Sequence, residues 1–496
     1  MRLITHWING KPTEGDSTRT SPVYNPALGS QEAEVLFAES SDVDRAVQAA
    51  ARAFEDWSES SLSYRSQVLF AFRELLNVRK RELAELITDE HGKVVSDAEG
   101  EVQRGLEVVE FACGIPSLLK GDYSDQVASN VDSFSFRQPL GVVVGITPFN
   151  FPAMVAMWMY PVAIAAGNCF ILKPSERDPS AALFVAELWS EAGLPDAVFN
   201  VVQGGKAAVD ALLDHPGVAA ISFVGSTPIA RYIHERATAG GKRVQALGGA
   251  KNHAIVLPDA DPEYVSNHLT AAAFGSAGER CMAISAAITV GSAADALMEV
   301  LDRKSREVRV GSGRDPSSDM GPVITPQARD RIVSIIDSGE QQGGTVRVDG
   351  RGIKVADYEG GFFVGPTLID HVSTDMDVYT KEIFGPVLSV VRSSSVEEAI
   401  GVINANPYGN GTAIFTSDGG AARKFMREVE VGMIGINVPI PVPMAYHSFG
   451  GWKDSLFGEH HMHGPDGVRF YTRGKVVTSR WPEVHHRASF DMPTAT

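Results

Sequence analysis

The sequence predicts an α/β fold built on parallel sheets, and three observations carry that expectation. From about residue 140, the short apolar runs "LGVVVGI", "CFILK", "VFNVV" and "AAISFVG" alternate with helix-like stretches. β-Rich runs separated by helices mean crossover units, and crossovers make the strands parallel. A second set, "AAITVG", "LSVVR", "GTAIFTS" and "GMIGIN", predicts another α/β unit. Two isolated runs of β-formers, "VDSFSFRQ" and "GVRFYTRGKVVTSRW", predict one extra hairpin-like arm suited to an oligomer contact. The 496 residues are enough for about three domain-sized units of roughly 150 residues each.

Along the chain, "SSDVDRAVQAAARAFEDW" places Val43, Ala46, Val47, Ala50, Phe54 and Trp57 on one helical face. Ser41 is its expected cap, with Asp44 as capping-box partner. "EVQRGLEVVEFACG" is a further predicted helix and carries Arg104. "AALFVAELWSEAGLP" reads as a helix ended by Gly193 and Pro195. In "ISFVGSTPIARYIHE" a strand ends at Val224 and Gly225 and Ser226 turn the chain. Thr227 is the expected cap, with Pro228 at the first helical position. Such a turn offers backbone N–H groups and a helix dipole to a phosphate, although many such joints bind nothing.

Composition narrows the function. A formal net charge of −17 makes nucleic acid and anionic membrane surfaces poor partners. No apolar run reaches the 18 or so residues of a membrane span. "MRLITHWINGK" has no long apolar stretch, so no secretory signal is expected. The three cysteines, Cys113, Cys169 and Cys281, are far apart and form no CxxC pair, which fits the reducing cytoplasm. The cluster His460, His461 and His463 sits in a Gly/Asp/Pro-rich stretch without a matching thiolate pair. It reads as a solvated or interface loop, and no metal is expected.

The candidate chemistry lies elsewhere. Cys113 and Cys169 have apolar neighbours and read as packing. Cys281, in "FGSAGERCMA", follows glycines, Glu279 and Arg280. Nearby positive charge lowers a thiol's pKa, so this polar setting leaves both a packed thiol and a nucleophile open. Asn150, between two phenylalanines in "ITPFNFP", either braces a loop or donates its amide to an oxyanion. In "ILKPSER", Glu176 lies three residues beyond Lys173 at a strand end. It suits ribose hydroxyls and repels a 2′-phosphate, or it is a helix-start acid beside the dipole. Neither a G-x-G-x-x-G fingerprint nor a Walker A motif is present.

Taken together, "TPFNFP", "LKPSE", "FVGST", "LGGAKN", "GERC" and "EIFGPV" resemble the aldehyde dehydrogenase superfamily, in order and spacing, over essentially the whole chain. The resemblance implies an NAD-binding domain over residues 1–120 and 139–247 and a catalytic domain over 248–440 carrying Cys281. It also implies an oligomerisation arm from 121–138 and 462–485. It makes Cys281 the nucleophile and Asn150 the oxyanion donor, with the Cys281 backbone N–H. Lys173, Glu176 and Arg177 would hold the adenosine ribose, and Gly225 and Ser226 would face the pyrophosphate. Thr147, Phe149 and Gly248 would line the cofactor slot. Glu382 would bind the nicotinamide ribose, with Phe384 packed against it.

One position departs from the hydrolytic members. Aligning Lys251 and Asn252 puts Leu247 where those members carry a glutamate that activates water. Without that base, water loses a typical ~10²–10⁴-fold of general-base help, and a thiol such as coenzyme A becomes the fitting acceptor. "EVQRGLEVVEFA", "NPYGNGTAIFT", "PIPVPM" and "FYTRGKVVTSRW" are similar to the CoA-acylating branch that oxidises methylmalonate or malonate semialdehyde. A semialdehyde of this kind carries a carboxylate, and Arg280 and Arg104 are its candidate partners. For Arg280 the bland alternative is a brace of the cysteine loop, and for Arg104 a surface ion pair. The resemblance implies a homotetramer, a dimer of dimers, with decarboxylation before transfer to coenzyme A. Two rivals stand beside it: a hydrolytic aldehyde dehydrogenase with a different base, and a catalytically silent dinucleotide-binding protein. The sequence does not separate the two semialdehydes or give a pathway.

Overall fold

The structure, a computed structural model, describes residues 1–481. Residues 482–485 of the expected arm lie outside the described residues. The first large sheet has eight strands, in the spatial order Leu456–Phe457, Arg243–Leu247, Val218–Val224, Val142–Ile146, Cys169–Lys173, Phe199–Val201, His6–Ile8 and Lys11–Thr13. Its five central strands are parallel and its outer pairs antiparallel. Val142–Ile146 and Cys169–Lys173 are buried throughout, as a sheet covered on both faces requires. From Val142–Ile146 the later strands run outward in both directions. The order therefore reverses between Val142–Ile146 and Val218–Val224, and in parallel sheets ligands bind in the crevice outside the C-terminal strand ends at such a reversal. "TPFN" and "GSTP" leave the sheet there.

The second sheet has seven strands, ordered Thr345–Val348, Thr367–Asp370, Val387–Ser393, Ile284–Val290, Asn252–Val256, Gly411–Phe415 and Met433–Ile436. All neighbours are parallel except the first pair. Cys281 lies just before Ile284–Val290, so both sheets deliver residues to one region.

Helices α1 (Ser40–Glu59), α2 (Leu62–His91), α3 (Val95–Cys113), α4 (Thr227–Ala239) and α5 (Pro262–Phe274) are the ones that shape the site. In α1 the predicted face is buried except for Phe54, and Trp57 Nε1 donates to the Ile164 carbonyl at 3.0 Å. Its cap differs from the expectation. Glu39 is the capping residue, and its N–H donates to Asp42 at 2.9 Å, not to Asp44. Ser41 instead donates to Asp16 at 2.7 Å, because the helix begins earlier than the apolar period alone indicates.

The arm has three strands where a hairpin-like pair was expected. Val131–Pro139 pairs antiparallel with Thr472–Arg480 along their whole lengths, and Tyr123–Ala128 adds to the free edge. The third strand escaped notice because "YSDQVA" is polar, and its side chains are almost all exposed.

Candidate active site

The crevice residues come first. Thr147 ends its strand with its N–H on the Lys173 carbonyl at 3.1 Å, and its buried Oγ1 has no partner. Lys173 ends the neighbouring strand, and its Nζ lies 3.4 Å from Glu176. Burial opposes the charge on Glu176, but Lys173 and then Arg177 hold its carboxyl below the ordinary value. Arg177 itself is exposed. The Gly225 N–H donates to the Leu247 carbonyl at 3.1 Å, fixing the turn into α4.

Ser226, not Thr227, is the residue that precedes α4. Thr227 Oγ1 accepts the Gly249 N–H at 2.8 Å, so the side chain expected to cap the helix ties it to the glycine pair instead. That pair permits two close approaches. A Cβ on Gly248 would meet the Asp454 carbonyl at 2.7 Å, and one on Gly249 would meet Glu382 Oε2 at 2.5 Å. Glu382 accepts the Ala250 N–H at 3.0 Å, and burial pushes its carboxyl up. The rings of Phe149 and Phe384 meet edge to face at 5.8 Å.

Cys281 follows an unusual backbone. Ser276, Ala277 and Gly278 adopt φ of 54°, 52° and 71°, three left-handed residues in succession. Non-glycine residues in that region cost energy and persist only where the surroundings impose them. Gly278 is needed for space as well, since a Cβ there would lie 2.1 Å from the Gly385 carbonyl. The Cys281 carbonyl accepts from the amides of Asn252 at 2.8 Å and Asn410 at 3.1 Å. The thiol corrects the sequence expectation of a pKa lowered by positive charge. Burial first, and then the charge of Glu382, push it up to about 11, and Arg280 offsets little of this.

Asn150 is held rigidly except at its amide. Its carbonyl accepts Lys93 Nζ at 2.6 Å, and Lys93 also donates to Glu101 at 2.8 Å. Glu101 in turn accepts the N–H groups of Ala153 and Met154 at 2.9 and 3.1 Å. The buried Nδ2 of Asn150 has no partner at all. A buried donor left open in an otherwise satisfied network is a place for an acceptor from outside.

A cavity of about 280 Å³ opens at Cys281 and is walled by Arg104, Arg280, Phe151, Met154, Trp158 and Ile440, among others. The two arginines are not free. Arg280 donates to Asp97 at 2.6 Å. Arg104 donates to Glu107 at 2.7 Å and to the Pro443 carbonyl at 2.7 Å, which anchors the proline-rich segment over the cavity. Leu247 ends its strand between Val224 and Leu456, buried and without an ionisable group.

The structure therefore gathers Cys281, Arg104 and Arg280 around one cavity, with the Asn150 loop contributing Phe151 to its wall. Cys281, Glu382 and Phe384 also line a second, narrow space. Lys93, Asp97, Glu101 and Asn410 were not singled out from the sequence. Asn252 and Asn410 stand inside quoted motifs, which is a signal of a kind. Lys93 shows none, since its partner carbonyl lies 57 residues away.

In the histidine cluster, expected as a solvated or interface loop, His460 and His461 are half-buried and His463 is buried. His463 is buried against Phe449, ring centroids 4.9 Å apart, and burial lowers it to about 4. His460 Nδ1 lies 3.2 Å from Asp466.

Comparison with known proteins adds an independent line. The model of the aldehyde dehydrogenase family matches residues 13–477. The chain is 54% identical over 497 residues to a protein of Pseudomonas aeruginosa named malonate-semialdehyde dehydrogenase, covering 100% of both. It is 47% identical to the mouse mitochondrial protein named methylmalonate-semialdehyde/malonate-semialdehyde dehydrogenase [acylating], over 96% of this chain and 89% of that one. A crystal structure from Sinorhizobium meliloti, described as a putative methylmalonate-semialdehyde dehydrogenase complexed with NAD, superposes with a TM-score of 0.96 at 52% identity. It covers 97% of this chain and 99% of the other.

Proposed function

The chain belongs to the aldehyde dehydrogenase family, and we propose that it oxidises malonate or methylmalonate semialdehyde with NAD, passing the decarboxylated acyl group to coenzyme A. The observation that carries this is the Cys281 cavity. It sets a half-buried thiol beside two arginines, and the three carboxylates that line its two spaces, Asp97, Glu101 and Glu382, each already hold a partner. Asp97 is on Arg280, Glu101 is on Lys93 and two backbone N–H groups, and Glu382 is on Ala250. The hydrolytic alternative needs a free base for water, and Leu247 supplies none.

The crevice residues fit a dinucleotide. Thr147 Oγ1 and Asn150 Nδ2 are unpartnered polar atoms, and Glu176 stands at a strand end beside the switch point. Lys173, Glu176 and Arg177 would hold the ribose. Gly225 and Ser226 would face the phosphates at the start of α4. Thr147, Phe149 and Gly248 would line the slot, and Glu382 and Phe384 would hold its far end. NAD, when bound, would supply the hydride acceptor.

Cys281 Sγ adds to the aldehyde carbon while the Asn150 amide and the Cys281 N–H receive the developing alkoxide. Loss of hydride leaves a thioester on Cys281. The substrate carboxylate, held by Arg280 and Arg104, then departs as CO₂, and the same donors receive the enolate. Exchange with the thiol of coenzyme A frees Cys281. Desolvation and then Glu382 push this half-buried thiol up to about 11, so the sulfur of the free protein is largely protonated at neutral pH.

The same proposal includes a homotetramer joined through the arm and a reducing cytoplasmic setting for the three free cysteines. Among the described residues no helix is long and apolar enough to cross a membrane. The division into a cofactor domain (1–120, 139–247), a catalytic domain (248–440) and an arm (121–138, 462–485) belongs to it too. The test is product identity. Malonate semialdehyde with NAD and coenzyme A gives NADH and acetyl-CoA by mass, and Cys281→Ala gives neither. A free acid as the main product would overturn the proposal.

A further inference from the structure

The ion pair of Asp97 and Arg280 stands as a partition. On one side is the cavity that holds Cys281, and on the other a larger one of about 670 Å³; both residues line both spaces. Asp97 lies in the first turn of α3, and Arg280 immediately precedes the nucleophile. The guanidinium rests on the backbone of Gly275, where a Cβ would come within 2.7 Å of it. Arg280 Nε and Asp97 Oδ2 are both buried and unpartnered. The other charged groups nearby are the Lys93–Glu101 pair, Arg104 with Glu107, Glu382 in the narrow space it shares with Cys281, and Lys304, Glu307 and Asp319 on the larger cavity.

We propose that Asp97 is a positioning residue for decarboxylation: it holds and partly neutralises Arg280, so that the acyl carboxylate is oriented without being locked in its charged form. This rests on the function proposed above. When the bond between the carboxylate and the α-carbon breaks, its electron pair moves into the thioester enolate. CO₂ leaves neutral, and a solvent proton later fills the α-carbon. The carboxylate thus loses its charge on the way to the transition state. A full cation against it stabilises the reactant more than the transition state and slows the step. An arginine shared with Asp97 still offers Nε as a donor, with a smaller net charge behind it.

The experiment follows NADH, CO₂ and acyl-CoA mass with malonate semialdehyde, NAD and coenzyme A. Asp97→Asn keeps an oxygen for Arg280 and removes the charge. Its KM for the semialdehyde falls, CO₂ per NADH drops by about tenfold or more, and malonyl-CoA replaces acetyl-CoA. Asp97→Glu restores acetyl-CoA. Asp97→Ser takes the place of the Asn variant should that chain not fold. If wild type and the uncharged variant both release one CO₂ per NADH at equal rates, the role of Asp97 is overturned and the function stands. A wild type that yields free acid overturns the function itself.

Discussion

Asn150 and Cys281 show how single residues are set up by partners that sequence order conceals. Lys93 fixes the Asn150 carbonyl and leaves the amide open. Asn150→Ala is therefore expected to lower kcat/KM by about 10²–10³, as loss of one oxyanion donor does. Kinetics in which only KM rises contradict that role. The raised thiol of the half-buried Cys281 predicts slow alkylation of the free protein by iodoacetamide at pH 7. The rate should rise about tenfold per pH unit toward the value near 11. A plateau below pH 8 contradicts a thiol raised in this way. At this scale Cys281, Asn150 and both arginines could be picked out as candidates, because each stands in a short motif, and the structure brings Cys281 and the two arginines to one cavity. The pairing of Arg280 with Asp97 was not, since it joins residues 183 positions apart. The thiol's raised pKa was hidden for a similar reason: local sequence shows an adjacent arginine but not the desolvation, nor the Glu382 carboxylate, that outweigh it.

Elements carry the next level. α2 ends at His91, and the turn into α3 buries Lys93 against Glu101 and over the Phe151 ring at 4.2 Å. Breaking a buried pair by removing one partner strands the other charge. Lys93→Met should cost about 3–5 kcal/mol, read as a fall in Tm, with loss of activity through Asn150. Glu279 gives a pH-dependent case. Burial pushes its carboxyl from 4.5 up to about 8, with one oxygen on the Ile324 N–H and the other unpartnered. The unfolded chain ionises there above about 4.5 while the folded chain keeps its proton, so stability falls as pH rises from about 4.5 to 8. Glu279→Gln should raise Tm at pH 8 by roughly 3–10 °C and flatten that slope. An unchanged Tm profile would count against a neutral Glu279. The strands buried on both faces were plain in the sequence as short apolar runs. Arg243–Leu247 was not, because "RVQAL" mixes polar residues into a strand beside the edge of the sheet.

At the scale of the molecule, two α/β units and a β arm were foreseeable from the alternation of strand and helix patterns. The arm's third strand and its pairing were not, because pairing is a long-range choice. Thr472–Arg480 pairs with a segment more than 300 residues earlier, and Val476 on it is 71% exposed. If the arm joins copies of the chain, Val476→Glu should shift sedimentation toward smaller species while the monomer's fold survives. An unchanged sedimentation coefficient contradicts that use of the arm. Both sheets bring residues to the Cys281 cavity, and under the proposed function the sulfur there would hold an acyl group that water is poorly equipped to remove. The most direct test of this mixes enzyme, NAD and malonate semialdehyde without coenzyme A. The account predicts a burst of about one NADH per site, a decarboxylated acyl adduct on the Cys281 peptide by mass, and then slow turnover. Sustained full-rate formation of free acid with an unmodified Cys281 would contradict it.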